Sequence, residues 1–144
     1  MPYATQQSLI DRYGEAELIA LTDKATPPTG EIVVDVVDRA LADADAIIDS
    51  YVAARYITPM APTPAVVVGV ACVIARYKLH EDHATELIRR DYEGAMQWLR
   101  DVASGRAQIV GALAPGGSAS GTFSAIAVGA PAQVFTDALM ETMP

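Results

Sequence analysis

The stretch ADAIIDSYVAARYITPM, residues 44–60, decides the fold because it carries a helical pattern up to a proline stop. Ala44, Ile47 and Tyr51 recur at the three- and four-residue spacing that places side chains on one face of a helix. Thr58-Pro59 ends that pattern, since proline cannot continue a helix. The pattern extends back to Glu31 and predicts a helix over residues 31–56. Its predicted apolar face consists of Val33, Val37, Ala40, Ala44, Ile47 and Tyr51.

An acidic stripe follows the opposite face of this predicted helix. It consists of Glu31, Asp35, Asp38, Asp45 and Asp49, with Ala42 filling the gap. A stripe of this kind is usually a solvated surface. A partner-binding surface is the alternative, and the breadth of the stripe keeps it open.

The rest of the first 110 residues also follows helical patterns. Thr5 is a possible N-cap for a short helix that ends at Gly14, and residues 15–21 predict another turn or two before the exposed loop at Pro27-Pro28. Residues 65–79 are apolar on nearly all sides, as in a central buried helix, although Val66-Val67-Val68 alone could form a strand. The sequence predicts an all-α fold, a small bundle of about four helices in a domain of residues 1–110.

The last predicted helix spans residues 83–104, with Asp82 as its N-cap and Gly105 as its end. Its apolar stripe consists of Ile88, Tyr92, Ala95, Leu99 and Val102. Trp98 lies beside that stripe, and we expect it to be half inside the core; an exposed Trp98 would be an interface anchor. We also expect Gly69 to permit a close helix approach and Cys72 to be small core filling.

Composition changes abruptly at Gly111. Residues 111–144 are rich in Gly, Ala, Ser and Pro, and their only charged side chains are Asp137 and Glu141. We expect this segment to be an irregular C-terminal arm that needs a partner to become ordered, with a merely flexible end as the alternative. Its sparse apolar residues, which are candidate partner contacts together with Trp98, are Val134, Phe135, Leu139 and Met140.

Few residues suggest chemistry. His80 and His83 lie three residues apart and could face one ion, but the sequence designates no third ligand, so we interpret them as part of a surface turn. No serine-nucleophile elbow and no phosphate-binding loop is present, and acids on an exposed helix face are poor proton donors. The sequence predicts no enzyme and no cofactor.

Charge and hydropathy restrict the partners. The net charge is −8, and the ten basic residues are scattered, so we expect no nucleic-acid binding surface. The longest apolar run, residues 64–75, is too short to span a bilayer, and we expect neither a signal peptide nor a membrane contact. The lone Cys72 fits a reducing cytoplasm, or a particle assembled there.

Several ordered blocks of residues 3–110 together resemble one protein family, although each block alone would be unremarkable. They are Tyr3-Ala4-Thr5, Asp11 to Glu15, Glu17 to Asp23, Asp49-Ser50-Tyr51, Arg55-Tyr56 with Pro59, Ala75-Arg76-Tyr77, Asp91-Tyr92-Glu93 and Ala103-Ser104-Gly105. The family is that of Mu-like bacteriophage head-tail adaptors. Relatives often carry an acid after the cysteine, where this chain has Val73.

The resemblance implies a structural protein of the virion neck. Such a protein would form a ring of about twelve copies beneath the portal protein, as a closed heterologous assembly. It would join the capsid to a stopper or tail-terminator protein, and DNA would pass through the ring. A small phage-encoded regulator that binds a host protein is the alternative function.

Overall fold

The computed structural model describes residues 2–115, which form five α-helices and one short 3-10 turn, with no strand in that range. The helices are α1 (Gln6–Tyr13), α2 (Glu15–Thr22), α3 (Val34–Val52), α4 (Ala65–His80) and α5 (Glu86–Ser104). The 3-10 turn, Glu81–His83, follows α4 directly. The predicted all-α class is confirmed, and residues 66–68 are helical rather than extended. The chain beyond Pro115, including most of the predicted arm, lies outside the described residues.

The core lies between α3, α4 and α5. Helix α4 is the central element and contacts all four other α-helices, which is why its sequence is apolar on nearly all sides. Its residues Val67, Ala71, Cys72, Ile74 and Ala75 are fully buried. Cys72 is therefore core filling, as the sequence predicted, and burial raises the pKa of its thiol.

The helix starts depend on specific caps. Thr5 caps α1 through its hydroxyl, which accepts a hydrogen bond from the Ser8 amide at 3.2 Å, and the Ser8 hydroxyl accepts one from the Thr5 amide in return. Gly14 then separates α1 from α2 with φ +90° and ψ 150°, a conformation that is open to glycine and strained for other residues. The Thr5 start and the Gly14 end of α1 are confirmed.

The predicted helix over residues 31–56 was too long at both ends. Val33 is extended because its amide donates to the hydroxyl of buried Thr22 at 3.0 Å, and this bond holds the chain against the end of α2. Glu31 is therefore not on the helix. At the other end, the amides of Arg55 and Tyr56 both donate to the carbonyl of Val52, which closes a tight turn.

The buried face of α3 is also rotated relative to the prediction. Its buried residues are Val37, Ala40, Leu41, Ala44, Ile48 and Val52. Val33 is exposed, while Ile47 and Tyr51 are only half-buried. Helices α1, α4 and α5 all pack against α3. Their contacts bury Leu41, Ile48 and Val52, which lie beside the predicted apolar row, so the buried face is wider than that row and shifted to one side of it.

Two further predictions were wrong in detail. Asp82 does not cap α5: the cap is Thr85, whose hydroxyl accepts from the Ile88 amide at 3.4 Å, and residues 81–83 form the 3-10 turn instead. The nearest neighbour of Gly69 is a side chain rather than a helix backbone: the guanidinium of Arg12 on α1 lies 3.4 Å from the position that a β-carbon at residue 69 would occupy.

Helix α5 otherwise follows the prediction. Four of its five predicted apolar residues are buried, and the fifth, Tyr92, is half-buried and stacks on Tyr77 of α4 with ring centroids 3.9 Å apart. Trp98 is half-buried against the core, as expected. The helix ends at Gly105, which is left-handed with φ +85°. Packing continues past residue 110, because Ala112 is buried and the Ile57 amide donates to the Leu113 carbonyl at 2.8 Å.

Candidate interaction surfaces

The N-terminal segment is held on the acidic side of α3 by a cluster that we call the N-terminal clasp: Tyr3, Asp45, Asp49 and Met60. The Tyr3 amide donates to Asp45 Oδ1 at 3.1 Å, and the Tyr3 hydroxyl donates to Asp49 Oδ1. The Met60 amide donates to the same hydroxyl at 3.3 Å. One side chain thus joins the chain start, α3 and the loop before α4.

Burial controls the protonation of the clasp. Tyr3 is only 4% exposed, and its burial, reinforced by the hydrogen bond to Asp49, raises the pKa of its hydroxyl to about 12. Burial also raises the pKa of the Asp45 carboxyl, although the Tyr3 amide opposes that shift. The clasp is therefore built around a phenol that is neutral at neutral pH and donates its hydrogen bond to Asp49.

The predicted acidic stripe divides into two parts. Asp35 and Asp38 on α3 are exposed, and so is Glu31 in the loop before it. Asp45 and Asp49 are half-buried and belong to the clasp. The stripe therefore offers a free acidic surface only at residues 31–38, while its other half is a structural anchor.

A second polar cluster joins α1, α2 and α4 on another side of the bundle. Arg76 on α4 donates from Nε and Nη2 to Glu17 Oε1, at 2.9 and 2.8 Å. The guanidinium also lies over the Tyr13 ring, 4.2 Å from its centroid. His80 contacts the same Glu17 oxygen at 3.3 Å. Planar stacking combined with a forked donor set is a geometry that arginine supplies and lysine does not.

The two histidines of the predicted surface turn differ in burial and in their neighbours. His80 ends α4 and lies against Glu17, whereas His83 is exposed on the 3-10 turn. Across residues 2–115, no three His, Cys, Asp or Glu side chains converge as a metal site would require. In the same range, every buried side-chain nitrogen or oxygen atom has a hydrogen-bond partner. This part of the chain therefore contains no orphaned polar group awaiting a ligand.

The segment after α5 is anchored by the Arg55-Tyr56 pair. The Tyr56 hydroxyl accepts a hydrogen bond from the Ile109 amide at 2.9 Å. The Arg55 guanidinium packs against Gly105 so closely that a β-carbon there would lie 2.7 Å from Nη1. Sequence reasoning missed this contact, since nothing in the local pattern connects residues 50 positions apart.

The bundle leaves apolar side chains uncovered at both of its ends. Arg55, just past α3, contacts Gly105, just past α5, so these two helices end on the same side of the bundle. Helix α4 runs the opposite way, because its final residues Lys78 and Leu79 lie beside Val36 and Ala40 near the start of α3. We call the side where α3 and α5 start the first end and the opposite side the second end.

Within residues 2–115, the exposed large apolar side chains lie at these ends. Val33, Val34 and Leu87 are at the first end, where Leu87 is 67% exposed. The second end carries Ile57, Val66, Val110 and Leu113, of which Val110 is 75% exposed. The flank formed by α5 between the ends is charged, with Glu86, Arg89, Arg90, Glu93, Gln97 and Arg100 all exposed.

The remaining candidate contacts, Val134, Phe135, Leu139 and Met140, lie outside the described residues. Trp98 is half-buried, so its ring is partly engaged by the core. None of the helices within residues 2–115 combines the length and apolarity that crossing a bilayer would require.

Most of the blocks that carried the family resemblance lie at these joints. Tyr3 and Asp49 form the clasp, Arg55-Tyr56 and Gly105 anchor the segment after α5, Arg76 joins α4 to α2, and Tyr77 stacks on Tyr92. These residue types are thus required for the connections between helices. A related chain with the same residues is expected to have the same bundle.

Comparison with known proteins identifies the family. The sequence profile of the family described as "Bacteriophage Mu, Gp36" matches residues 3–124. The chain is 41% identical over 104 residues to the Mu-like prophage FluMu protein gp36 of Haemophilus influenzae, covering 72% of each chain. It is 38% identical over 106 residues to gene product J of Escherichia phage Mu, covering 74% of each. The chain therefore belongs to the bacteriophage Mu Gp36 family.

Proposed function

We propose that this protein is a structural head-tail adaptor of a tailed bacteriophage. It assembles in the host cytoplasm and resides in the virion neck, as a ring of about twelve copies under the portal protein. There it joins the capsid to the stopper or tail-terminator protein. The role is mechanical and requires neither a catalytic step nor a cofactor.

The observation that carries this proposal is the placement of uncovered apolar side chains at the two opposite ends of one helical unit. About half or more of the surface is exposed at four of these residues. They are Val34 and Leu87 at the first end, and Ile57 and Val110 at the second. Apolar surface of this kind is stabilised by burial against another protein. A unit with such surface at both ends suits a link between two protein layers, and the charged α5 flank suits the solvated side of a ring.

The free acidic surface has a separate role in this proposal. Glu31, Asp35 and Asp38 would line the DNA passage, where like charge discourages the genome from adhering to the ring wall. Asp45 and Asp49 are excluded from that role because they hold Tyr3.

A charge-reversal variant tests the channel role. We expect Asp35→Lys with Asp38→Lys to slow DNA delivery while assembly proceeds, and the matched control is Asp91→Lys with Glu93→Lys, which reverses two charges at exposed positions of α5. Reversal of Asp45 or Asp49 is unsuitable because it would break the clasp. DNA delivery equal to that of wild-type particles would overturn the channel role.

The decisive experiment mixes the purified full-length chain with the portal ring of its own phage. Native mass spectrometry and electron microscopy should give a stacked complex with about twelve copies of the chain per ring. A folded chain that does not bind the portal would contradict the adaptor function.

A phage-encoded regulator of a host protein is the second candidate. It is favoured by the apolar residues Val134, Phe135, Leu139 and Met140 in a nearly uncharged segment, which could capture a host protein. The proteome of washed virions distinguishes the two functions. An adaptor is present at ring-like abundance, whereas a regulator is absent.

A further inference from the structure

The second end of the bundle contains an apolar groove. Its walls are the loop after α3, with Ile57, Pro59 and Pro62, and the segment after α5, with Ala112 and Leu113. All eight lining residues are apolar or glycine. The hydrogen bond from the Ile57 amide to the Leu113 carbonyl joins the two walls at 2.8 Å. Ile57 and Leu113 remain 48% and 38% exposed, so the groove has apolar surface that a peptide segment can cover.

The chain itself supplies a segment that suits this groove. The described residues end at Pro115, two positions after the groove residue Leu113. Residues 134–140, Val-Phe-Thr-Asp-Ala-Leu-Met, contain the arm's densest group of large apolar side chains. The intervening residues 116–133 can span roughly 60 Å when extended, far more than a return to the groove requires.

Charge also favours binding of residues 134–140 to this groove. Arg55 precedes the groove residue Ile57 by two positions, and its guanidinium forms no ion pair within the described part of the chain. The only charged side chains after Gly111 are Asp137 and Glu141, and both are acidic. The segment 134–140 carries Asp137, and Glu141 follows it directly, so its acidic charge is opposite to that of Arg55, two positions before the groove residue Ile57.

We propose that, in the free protein, residues 134–140 cover the groove of their own chain. A tether of this length places the segment at an effective concentration on the order of millimolar, well above the micromolar concentration of a second chain. Loop closure adds only a modest entropic cost, because that cost grows with the logarithm of length. Covering the groove within one chain would remove part of the apolar surface of the second end from water. This inference concerns the unassembled chain and does not require the adaptor function.

Disulfide trapping in the full-length chain tests the proposal. The test variant combines Ile57→Cys with Phe135→Cys, and the matched control combines Val110→Cys with Phe135→Cys. Val110 is more exposed than Ile57 and lies at the same end, near the start of the arm, but does not line the groove. The native Cys72 is fully buried and does not compete for either engineered thiol. The variants are oxidised at micromolar concentration, and mass spectrometry follows intrachain and interchain disulfides over time.

We expect the intrachain disulfide of the test variant to form at least about tenfold faster than that of the control, because docking raises the local thiol concentration. Equal rates in the two variants would overturn the proposal. A test variant that forms only interchain disulfides would overturn it too, since the groove would then hold the segment of a second copy.

Discussion

Gly94 in α5 and Gly105 at its end differ in the space available for a β-carbon. Gly105 is left-handed, and a β-carbon there would collide with the Arg55 guanidinium at 2.7 Å. Gly94 lies within α5, is exposed, and has no neighbouring atom within 4 Å of the position that a β-carbon would occupy. The first glycine is therefore required by its backbone and its neighbour, whereas the second is not.

We expect Gly105→Ala to lower the free energy of unfolding by about 1–3 kcal/mol, because it combines left-handed strain with displacement of Arg55. Gly94→Ala, the matched control, should raise it by up to about 1 kcal/mol, since alanine is the better helix former. Urea unfolding followed by circular dichroism measures both. A neutral Gly105→Ala variant would show that the Arg55 contact is easily rearranged.

The hydroxyl of Tyr3 forms hydrogen bonds with two distant parts of the chain, Asp49 on α3 and the Met60 amide in the loop before α4. Replacing Tyr3 with Phe removes its bonds to Asp49 and to the Met60 amide and leaves both groups without that partner. We expect a loss of about 1–3 kcal/mol in the free energy of unfolding. Tyr51→Phe is the control, because the Tyr51 hydroxyl forms no hydrogen bond within residues 2–115. Equal stability of the two variants would contradict a structural clasp.

Tyr3 also gives the protein a defined dependence on alkaline pH. Its pKa is raised from 10.0 to about 12 in the folded chain, so the folded state retains a proton that the unfolded state releases. The resulting stability is fully present below pH 10 and is lost as the pH rises through 12, by an amount on the order of 2 kcal/mol.

The same variant isolates this pH effect. Burial raises the pKa values of Tyr13 and Tyr92 as well, so the wild-type decline between pH 9 and 12 contains their contributions. Only the difference between wild type and Tyr3→Phe reports Tyr3. That difference should shrink as the pH rises across this range, and a constant difference would contradict the raised pKa.

At the scale of elements, the bundle is joined by one half-buried ion pair and one exposed ion pair. Arg76 and Glu17 join α4 to α2, with side chains 21% and 24% exposed. Lys24 and Glu81 also join distant parts of the chain at 3.0 Å, but their side chains are 64% and 63% exposed. Solvent screens the second pair much more strongly than the first.

We expect Arg76→Lys to cost about 1–2 kcal/mol of unfolding free energy, because lysine lacks the forked donor set and the planar stack on Tyr13. Lys24→Ala should change stability by less than about 1 kcal/mol. Thermal and urea unfolding of the two variants provide the comparison. A larger loss for Lys24→Ala would contradict the assignment of the joint between α2 and α4 to Arg76.

The element scale also shows where sequence reasoning succeeded. Helix α5 was predicted with its correct apolar stripe and its Gly105 end, because a 3.6-residue period and a left-handed glycine are local signals. The start of α3 was predicted three residues early, because the Thr22 hydroxyl that captures the Val33 amide comes from another helix. The acidic stripe was found in the sequence, but its division into a free part and a clasp was not.

At the scale of the whole molecule, the two apolar ends should act independently. If the chain is the adaptor proposed above, Leu87→Asp should abolish binding to one protein layer and Ile57→Asp should abolish binding to the other, with each variant keeping its second partner. Both residues are exposed, so the bundle should remain folded, as circular dichroism can verify. Binding of each variant to the portal ring and to the stopper protein measures the effect. Loss of both partners in a folded single variant would contradict a link between two layers.

The sequence by itself determined the helices, most of their apolar faces and the Gly14 and Gly105 ends, because these depend on neighbours within about one turn. It also carried the family, through residue blocks that lie at the joints. Only the tertiary structure decided which of those blocks meet. Tyr3 pairs with Asp49 across 46 positions, and Arg76 pairs with Glu17 across 59. Such contacts form only when packing brings distant helices together, so no local pattern encodes them.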